Sequence, residues 1–600
     1  MTCAKKSHIL KELSFLWVSL LLFFYSALSF ASPTLLITLS DAHGNMKMAQ
    51  KTIAFIDHQI RLHRAKYGNT AQALVINVGD SMGYHIESER TEGYYDLEFM
   101  KVVYELGAEV VYVLGNHEFD YYSNQTDSSV SQKRERAQRI IGRLTRFSKK
   151  MSKLQGSDWY FLGANLTLGE DGKRANFVRS YQDLTIDGKK TRIVGLVTED
   201  FISKSNIESN QKNHPVRLFE SVVPLVRSAK SQLLKAARNG VEQVILAIHE
   251  STTVNKELLE KELVPWIKSR PEFQNNRGIL KGVTGGHSHE VHILSIPQPG
   301  SAPVTLWEAG SQYEVMSGIW EENGTISTLE HWDHKKIRRF NQAQTVRPSK
   351  ETIQFIRETN GELEYIYTNY KKIILISHFL GLPITKKDFK NGPQEEGKLF
   401  GGALKSWGEQ VIESTEVAKR YPKLNPDLVL GLFSSSALRI DSPIYSSSFS
   451  YYDLRTLTMV DSVRLFEMTG HHAKELILSF MHHRLKKDGA YGFQFDQTTR
   501  VDLQNNEVFT LQNGKEVPIE TLSSVVIAID SFIAENPYQI EKWVKIFRSA
   551  TPIVIQDTPS FDQMLLDHFV PLLREYNKKR KGTLPSNCPG TFSRLIIPTH

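Results

Sequence analysis

A chain of 600 residues exceeds what a single hydrophobic core organises, so two or more domains are expected. Hydrophobic residues make up 40% and charged residues 23%, an ordinary globular balance that excludes a wholly disordered chain. The formal charge of +7 is small for this length and forms no dense basic run interleaved with aromatics, so nucleic acid is not an expected partner.

Lys5, Lys6 and Lys11 precede the apolar run Phe15 to Leu28, and Ser29-Phe30-Ala31 fits a small-x-small cleavage site before Ser32. Residues 1–31 are therefore read as a signal peptide, and the location as periplasmic or secreted. The alternative is an uncleaved anchor, because Leu13 to Ala31 is nearly long enough to span a bilayer. Only a retained leader would make the membrane a stable partner. The leader carries a net +2 from Lys5, Lys6, Lys11 and Glu12, leaving +5 without it. Cys588 is then the single cysteine, with no partner for an internal disulfide.

From Thr34 to about Glu330, short apolar runs alternate with helical stretches. Leu35–Leu39, Leu74–Val78, Val110–Leu114, Arg192–Leu196 and Val244–Ile248 read as strands covered on both faces. Arg134 to Arg146 is basic with helical spacing, a solvated helix face. Ser221 to Asn239 predicts a helix with Val222, Val223, Leu225, Val226, Leu233 and Leu234 on its apolar side. The pattern is that of a layered α/β domain with a sheet core.

Five pieces of this region carry polar side chains where strands end. They are Asp41-Ala42-His43-Gly44, Gly79-Asp80, Gly115-Asn116-His117-Glu118-Phe119-Asp120, His249 and Gly285-Gly286-His287-Ser288-His289. Loops at the carboxyl edge of an α/β sheet converge while the sheet holds them rigid, and the glycines allow sharp turns and close approach. Singly, each motif has an ordinary structural explanation; together they supply two Asp, one Asn and four His.

That donor set suits phosphoester hydrolysis with two divalent ions. Two cations roughly 3.5–4 Å apart clamp phosphate oxygens and lower the pKa of a shared water, making a metal-bound hydroxide the expected nucleophile. Asp80 is the natural bridge. Asp41, His43 and His289 complete one shell, and Asn116, His249 and His287 the other. Nitrogen and oxygen donors without thiolate suit Zn, Mn, Fe, Co or Ni more than a copper or iron–sulfur site; the expected pair is drawn from Mn, Zn, Co or Mg, among which the ligands do not choose. His117 is placed to stabilise the transition state or protonate the leaving oxygen, with Asp120 orienting it.

In this order the motifs resemble those of the calcineurin-like metallophosphoesterase superfamily. Within it they resemble the secreted 5′-nucleotidase, UDP-sugar hydrolase and 2′,3′-cyclic phosphodiesterase family, to which Gly163-Ala164-Asn165-Leu166 and Ala309-Gly310-Ser311 are also similar. The resemblance implies a layered β-sandwich core flanked by helices, the seven ligands, and the His117–Asp120 pair. His289 stands where some members have Gln.

Past residue 340 the character changes. Ser349 to Tyr370 predicts a helix with Ile353, Ile356, Leu363, Ile366 and Tyr367 on one face, interrupted by Gly361, and serves as a linker. The expected division is 32–340 catalytic domain, 341–370 linker helix and 371–600 second domain. The second part is α+β, with strands at Leu428–Leu430, Ser462–Phe466 and Ser524–Ala528, and it resembles the 5′-nucleotidase C-terminal substrate domain. Glu395 to Gly401 is similar to that domain's opening helix.

The family motif Asn-x-Gly-Gly-Ile-Arg corresponds here to Ser434-Ser435-Ser436-Ala437-Leu438-Arg439. Arg439 is kept as a phosphate or carboxylate clamp, while the glycines are not. Of the two rings that hold a nucleoside base, Phe532 corresponds to the second. Met459-Val460-Asp461-Ser462 lacks the first, and Glu535-Asn536-Pro537-Tyr538 lacks the usual glycine-rich run.

The expected activity is hydrolysis of a small-molecule phosphoester by an exported enzyme, in the manner of a 5′-nucleotidase. The alternatives are a non-nucleotide, cyclic phosphodiester or sulfur-ester substrate, or a non-catalytic binding module on the same scaffold.

Overall fold

The structure is a computed structural model. It describes residues 32–83, 85–119, 130–168, 177–186, 188–205, 219–298, 300–321, 324–370, 395–434, 463–486, 493–496, 498–530, 541–555 and 564–583.

The first part follows the predicted alternation. In chain order its main elements are β1 (Thr34–Leu39), α1 (Met46–Tyr67), β2 (Ala73–Asn77), α2 (Ile86–Thr91), α3 (Tyr94–Glu105), β3 (Glu109–Tyr112) and α4 (Val130–Gln155). Next come β4 (Tyr181–Ile186), β5 (Lys189–Val197), α5 (Leu225–Arg238), β6 (Gln243–His249), α6 (Thr252–Glu257) and β7 (Leu280–Gly285). The series ends with β8 (Val291–Ile296), β9 (Val304–Ala309), β10 (Val315–Trp320), β11 (Ile326–Trp332), α7 (His334–Ala343) and α8 (Lys350–Tyr370).

Two sheets result, in the orders β11-β10-β1-β2-β3 and β8-β9-β7-β6-β5-β4. The runs β1-β2-β3 and β5-β6-β7-β9 are parallel, and antiparallel strands close the flanks. The unbroken apolar runs now have a physical reason, since alternate residues of each strand face opposite sides. Leu36 of β1, Leu74 and Ile76 of β2, and Ile245 and Ala247 of β6 fill the layer between the sheets with Trp307 and Trp320. Leu35, Ile37 and Leu39 turn instead to the helices outside the first sheet, and Val244, Leu246 and Ile248 to those outside the second. The Trp307 indole donates to the Thr38 hydroxyl at 2.9 Å, joining the sheets through a satisfied polar contact.

Two helices differ from expectation. Ser221 and Val222 belong to a short strand, Phe219–Val222, paired with Leu166–Leu168. The helix begins only at Leu225 because Pro224 keeps the preceding residue extended. On α8 the buried stripe is Thr352, Phe355, Thr359, Leu363 and Ile366, while Ile353 and Ile356 are only partly covered. Thr359 tolerates burial because its hydroxyl donates to the Phe355 carbonyl at 2.8 Å and accepts from Gln50 at 2.8 Å. A side chain at Gly361 would meet nothing within 4 Å, so that glycine sits on an open face without breaking the helix.

The second part contains a helix at Glu395–Ile412 and a five-stranded sheet of β12 (Leu428–Ser434), β13 (Val463–Met468), β14 (Phe493–Phe495), β15 (Val525–Asp530) and β16 (Thr551–Ile553). Its order is β14-β12-β15-β13-β16, with only β12 and β15 parallel. Among the described residues no helix is long and apolar enough to cross a membrane.

Two histidines of α1 give the fold an acid sensitivity. Burial, with Arg61 adding, holds His58 below the ordinary imidazole value, and burial does the same to His63 despite its bond to the Pro33 carbonyl. As pH falls below about 6.5, the unfolded chain takes up protons that the folded chain resists, so stability declines. Replacing both with Gln should flatten the loss of urea midpoint between pH 7 and 5.5. An unchanged loss would contradict this assignment.

Candidate metal centre

The carboxyl ends of β1, β2, β3, β6 and β7 deliver their loops to one edge of the two sheets. The first two loops run together: the Asp41, His43 and Gly44 amides donate to the carbonyls of Gly79, Asp80 and Ser81 at 2.9, 2.9 and 2.7 Å. Asp41, His43, Asp80, His287 and His289 all have positive φ, between 51° and 73°. That region is sparsely populated outside glycine, although Asp and His enter it more readily than most residues. Five strained residues in one small region are a mark of function. Two glycines make the crowding possible. A Cβ at Gly115 would lie 2.1 Å from Asp80 Oδ1, and one at Gly79 would lie 2.6 Å from the Gly115 nitrogen.

The side chains form overlapping groups. Asp41 Oδ1 lies 3.4 Å from His289 Nε2 and 3.9 Å from His43 Nε2, and the two imidazole nitrogens are 3.0 Å apart. Asp80 Oδ2 lies 3.0 Å from His249 Nε2 and 3.8 Å from His117 Nε2, while Asp80 Oδ1 accepts the His117 amide at 2.8 Å. Potential donor atoms lie within 4.8 Å of one another in Asp41/His43/His289, in Asp80/His249/His287 and in His43/Asp80/His117. Asp80 belongs to two of these groups.

Several details fit cations. His249 Nδ1 donates to the Val78 carbonyl at 2.6 Å, which turns Nε2 toward Asp80. A second bond of this kind is how proteins orient a metal-binding imidazole. The Asn116 Oδ1 is buried and has no hydrogen-bond partner among the described residues, an expensive arrangement unless a ligand meets it. The His287 amide donates to Asp41 Oδ2 at 2.9 Å and thereby fixes the carboxylate.

The electrostatics agree. Burial pushes Asp41 up to about 7, with His249 opposing and the Asp80 charge adding. Burial also opposes ionisation of Asp80, but His249 and His117 outweigh it and hold that carboxyl below its ordinary value. The imidazole of His249 is disfavoured as a cation by burial, yet Asp80 raises it to about 10. A dry pocket of mutually close carboxylates gains stability when cations enter it.

Thus all seven sequence-predicted ligands occur at one edge, with His117 beside them; its ring lies 5.0 Å from that of His43. Asp120, Arg439, Phe532 and the leader lie outside the described residues, as do Ser435 to Arg439, Met459 to Ser462, Glu535 to Tyr538 and Cys588. Asn165 has a structural role, bridging both backbone groups of Val197 at 2.7 and 2.9 Å. His85 is buried against Gln312, and His292 pairs with Glu290 near the surface.

Sequence reasoning assigned no role to Glu118. Its carboxyl accepts from the amides of Gly115, Ser81 and Asp80 at 2.6, 2.8 and 3.2 Å, and from the Tyr112 hydroxyl at 2.8 Å. One side chain therefore ties the β2 loop to the β3 loop. Its place inside Asn116-His117-Glu118 was the only available signal. Gln312 was also missed: its amide donates to the Asp41 carbonyl at 2.8 Å, and its side-chain oxygen meets Asn45 and His85 at 2.7 and 2.9 Å.

A layered α/β sandwich with strand-end carboxylates and imidazoles gathered at one edge defines the class: a scaffold whose side-chain groups could hold metal ions. The family model for calcineurin-like phosphoesterase matches residues 35–291. No curated protein matches the chain. Among solved structures, the chain is similar to a 5′-nucleotidase precursor from Thermus thermophilus, at 13% identity and TM-score 0.64, covering 90% of this chain and 96% of that one. It is similar to a 5′-nucleotidase from Candida albicans, at 12% identity and TM-score 0.54, with 90% and 98% covered. It is also similar to the sulfate thiohydrolase SoxB from Thermus thermophilus, at 12% identity and TM-score 0.55, with 90% and 94% covered. These likenesses are of fold.

Replacing Glu118 with Ala should strand three buried amides and a hydroxyl. At about 1–3 kcal/mol for each unsatisfied group, a loss of at least about 3 kcal/mol is expected in urea unfolding. A loss below about 1 kcal/mol would show that the two loops do not depend on this carboxyl.

Proposed function

We propose that this chain is an exported phosphoester hydrolase that works with two divalent ions on a small phosphomonoester, in the manner of a 5′-nucleotidase. The observation that carries the reading is the chain of overlapping donor groups at one sheet edge, Asp80 standing with His249 and His287 in one and with His43 and His117 in another, and His43 standing also with Asp41 and His289. In this reading residues 32–340 are catalytic, 341–370 link, and 371–600 supply substrate contacts. Residues 1–31 direct export to the periplasm or beyond.

Asp41, His43 and His289 would hold one ion, Asn116, His249 and His287 the other, with Asp80 shared between them. Bound there, ions from among Mn, Zn, Co and Mg would supply Lewis acidity and an activated water. His117 contributes a proton or hydrogen bond to the departing oxygen from its Nε2, which stands 3.8 Å from Asp80 Oδ2. Asp120 orients that imidazole. The buried walls exclude bulk water, which strengthens each of these interactions.

From the second part, Arg439 is proposed to clamp a substrate anion and Phe532 to stack on a base. The surrounding residues depart from the nucleotide-cleaving pattern, so recognition centres on the phosphoryl group rather than on the nucleoside.

Two assays test this reading. With Mn, Zn, Co and Mg supplied separately, at least one metal should support hydrolysis of AMP and of an aryl phosphate monoester. Failure with every metal on both substrates would overturn the hydrolase reading and favour a binding module; preference for a diester or a sulfur ester would overturn the phosphomonoester assignment. His117→Ala should lower kcat at least ~10²-fold while two ions remain bound. Loss of an ion would make His117 a ligand instead.

A further inference from the structure

Glu308 lies on β9, in register with Gly285 of β7 and with His292 of β8. It is fully buried, unusual for a carboxyl in a strand that otherwise reads apolar. Among the described residues its partners are hydroxyls and an amide rather than a lysine or arginine. Ser288 Oγ donates to Glu308 Oε1 at 2.7 Å, the Thr252 hydroxyl donates to Oε2, and the Glu290 backbone amide also bonds to it.

These partners occupy telling positions. Ser288 stands between His287 and His289. Thr252 opens α6, three residues after His249. One buried carboxyl therefore ties together the two loops that bring three imidazoles to the centre. Little room remains around it: a Cβ at Gly285 would lie 3.1 Å from Asn255 Nδ2, 3.2 Å from the Glu250 carbonyl and 3.4 Å from Glu308 Oε2.

We infer that Glu308 is a positioning residue that sets the geometry of His249, His287 and His289 by clamping Thr252 and Ser288. The inference rests on the metal assignment proposed above. Burial pushes this carboxyl up to about 8, with the Asp41 charge adding and the hydroxyls opposing. Each carboxyl oxygen is met by a hydroxyl, so the clamp acts through hydrogen-bonding shape. Ser and Thr hydroxyls donate or accept equally well, so a glutamine amide should serve in its place.

The test uses the full chain loaded with Mn(II), comparing wild type, Glu308→Gln and Glu308→Ala. Metal content is followed against graded chelator, with thermal unfolding, kcat and KM measured alongside. Glu308→Ala should release one of the two ions at ~10–100-fold higher free metal. Its kcat should fall and recover on adding Mn(II), with KM little changed at saturating metal. Glu308→Gln should restore most of what Ala loses. Wild-type metal retention by Glu308→Ala, or equal damage from Gln and Ala, would overturn the inference. Should Glu308→Ala fail to fold, Thr252→Val and Ser288→Ala together carry the same expectation, and unchanged metal retention in that double variant overturns it. A wild-type chain that holds no pair of ions overturns the metal reading itself. A pair of ions held equally well by every variant overturns only the role of Glu308.

Discussion

Asp80 is a carboxylate with almost no access to water, and the architecture around it answers the cost of burying that charge. An ionised group in a dry interior persists only where opposite charge and hydrogen bonds surround it. Here the His117 amide, the His249 imidazole and the crossing of two glycine loops supply that surrounding. The strained backbone at five neighbouring residues persists because the loops are held on both sides. Asp41 answers to His287, the β1 loop is zipped to the β2 loop, and Glu118 locks the β2 loop to the β3 loop.

Rigidity at this edge originates in the layer between the sheets. Leu36, Leu74, Ile76, Ile245, Ala247, Trp307 and Trp320 pack there, and the parallel strands that they anchor end in ligand loops. A dinuclear centre requires ligand positions good to a fraction of an ångström. Strands buried on both faces meet that requirement better than free loops, because displacement of any one strand would open the core. The same logic places the helices outside, where α1 and α3 cover the first sheet.

Much of this was legible in the sequence because strands buried on two faces leave continuous apolar runs, and ligand residues follow those runs directly. Asp41, Asp80, Asn116 and His249 stood out by that position taken together with the other motifs. What the sequence obscured depends on register between distant strands. Glu308 carries no signal until pairing sets it beside Gly285, and Gln312 carries no pattern at all. The start of α5 was misplaced because apolar spacing across Val222 and Leu225 outweighed the signal of Pro224. On α8, Thr352 and Thr359 looked polar, yet Thr359 satisfies its hydroxyl within the helix and with Gln50.

The central claim is that one aspartate serves two cations at the meeting of five strand ends. Anomalous diffraction from crystals of the full chain soaked in manganese tests it most directly. The account predicts two peaks roughly 3.5–4 Å apart, both within bonding distance of Asp80, one beside Asp41, His43 and His289 and the other beside Asn116, His249 and His287. Peaks elsewhere, or a single peak that Asp80 does not touch, would contradict it.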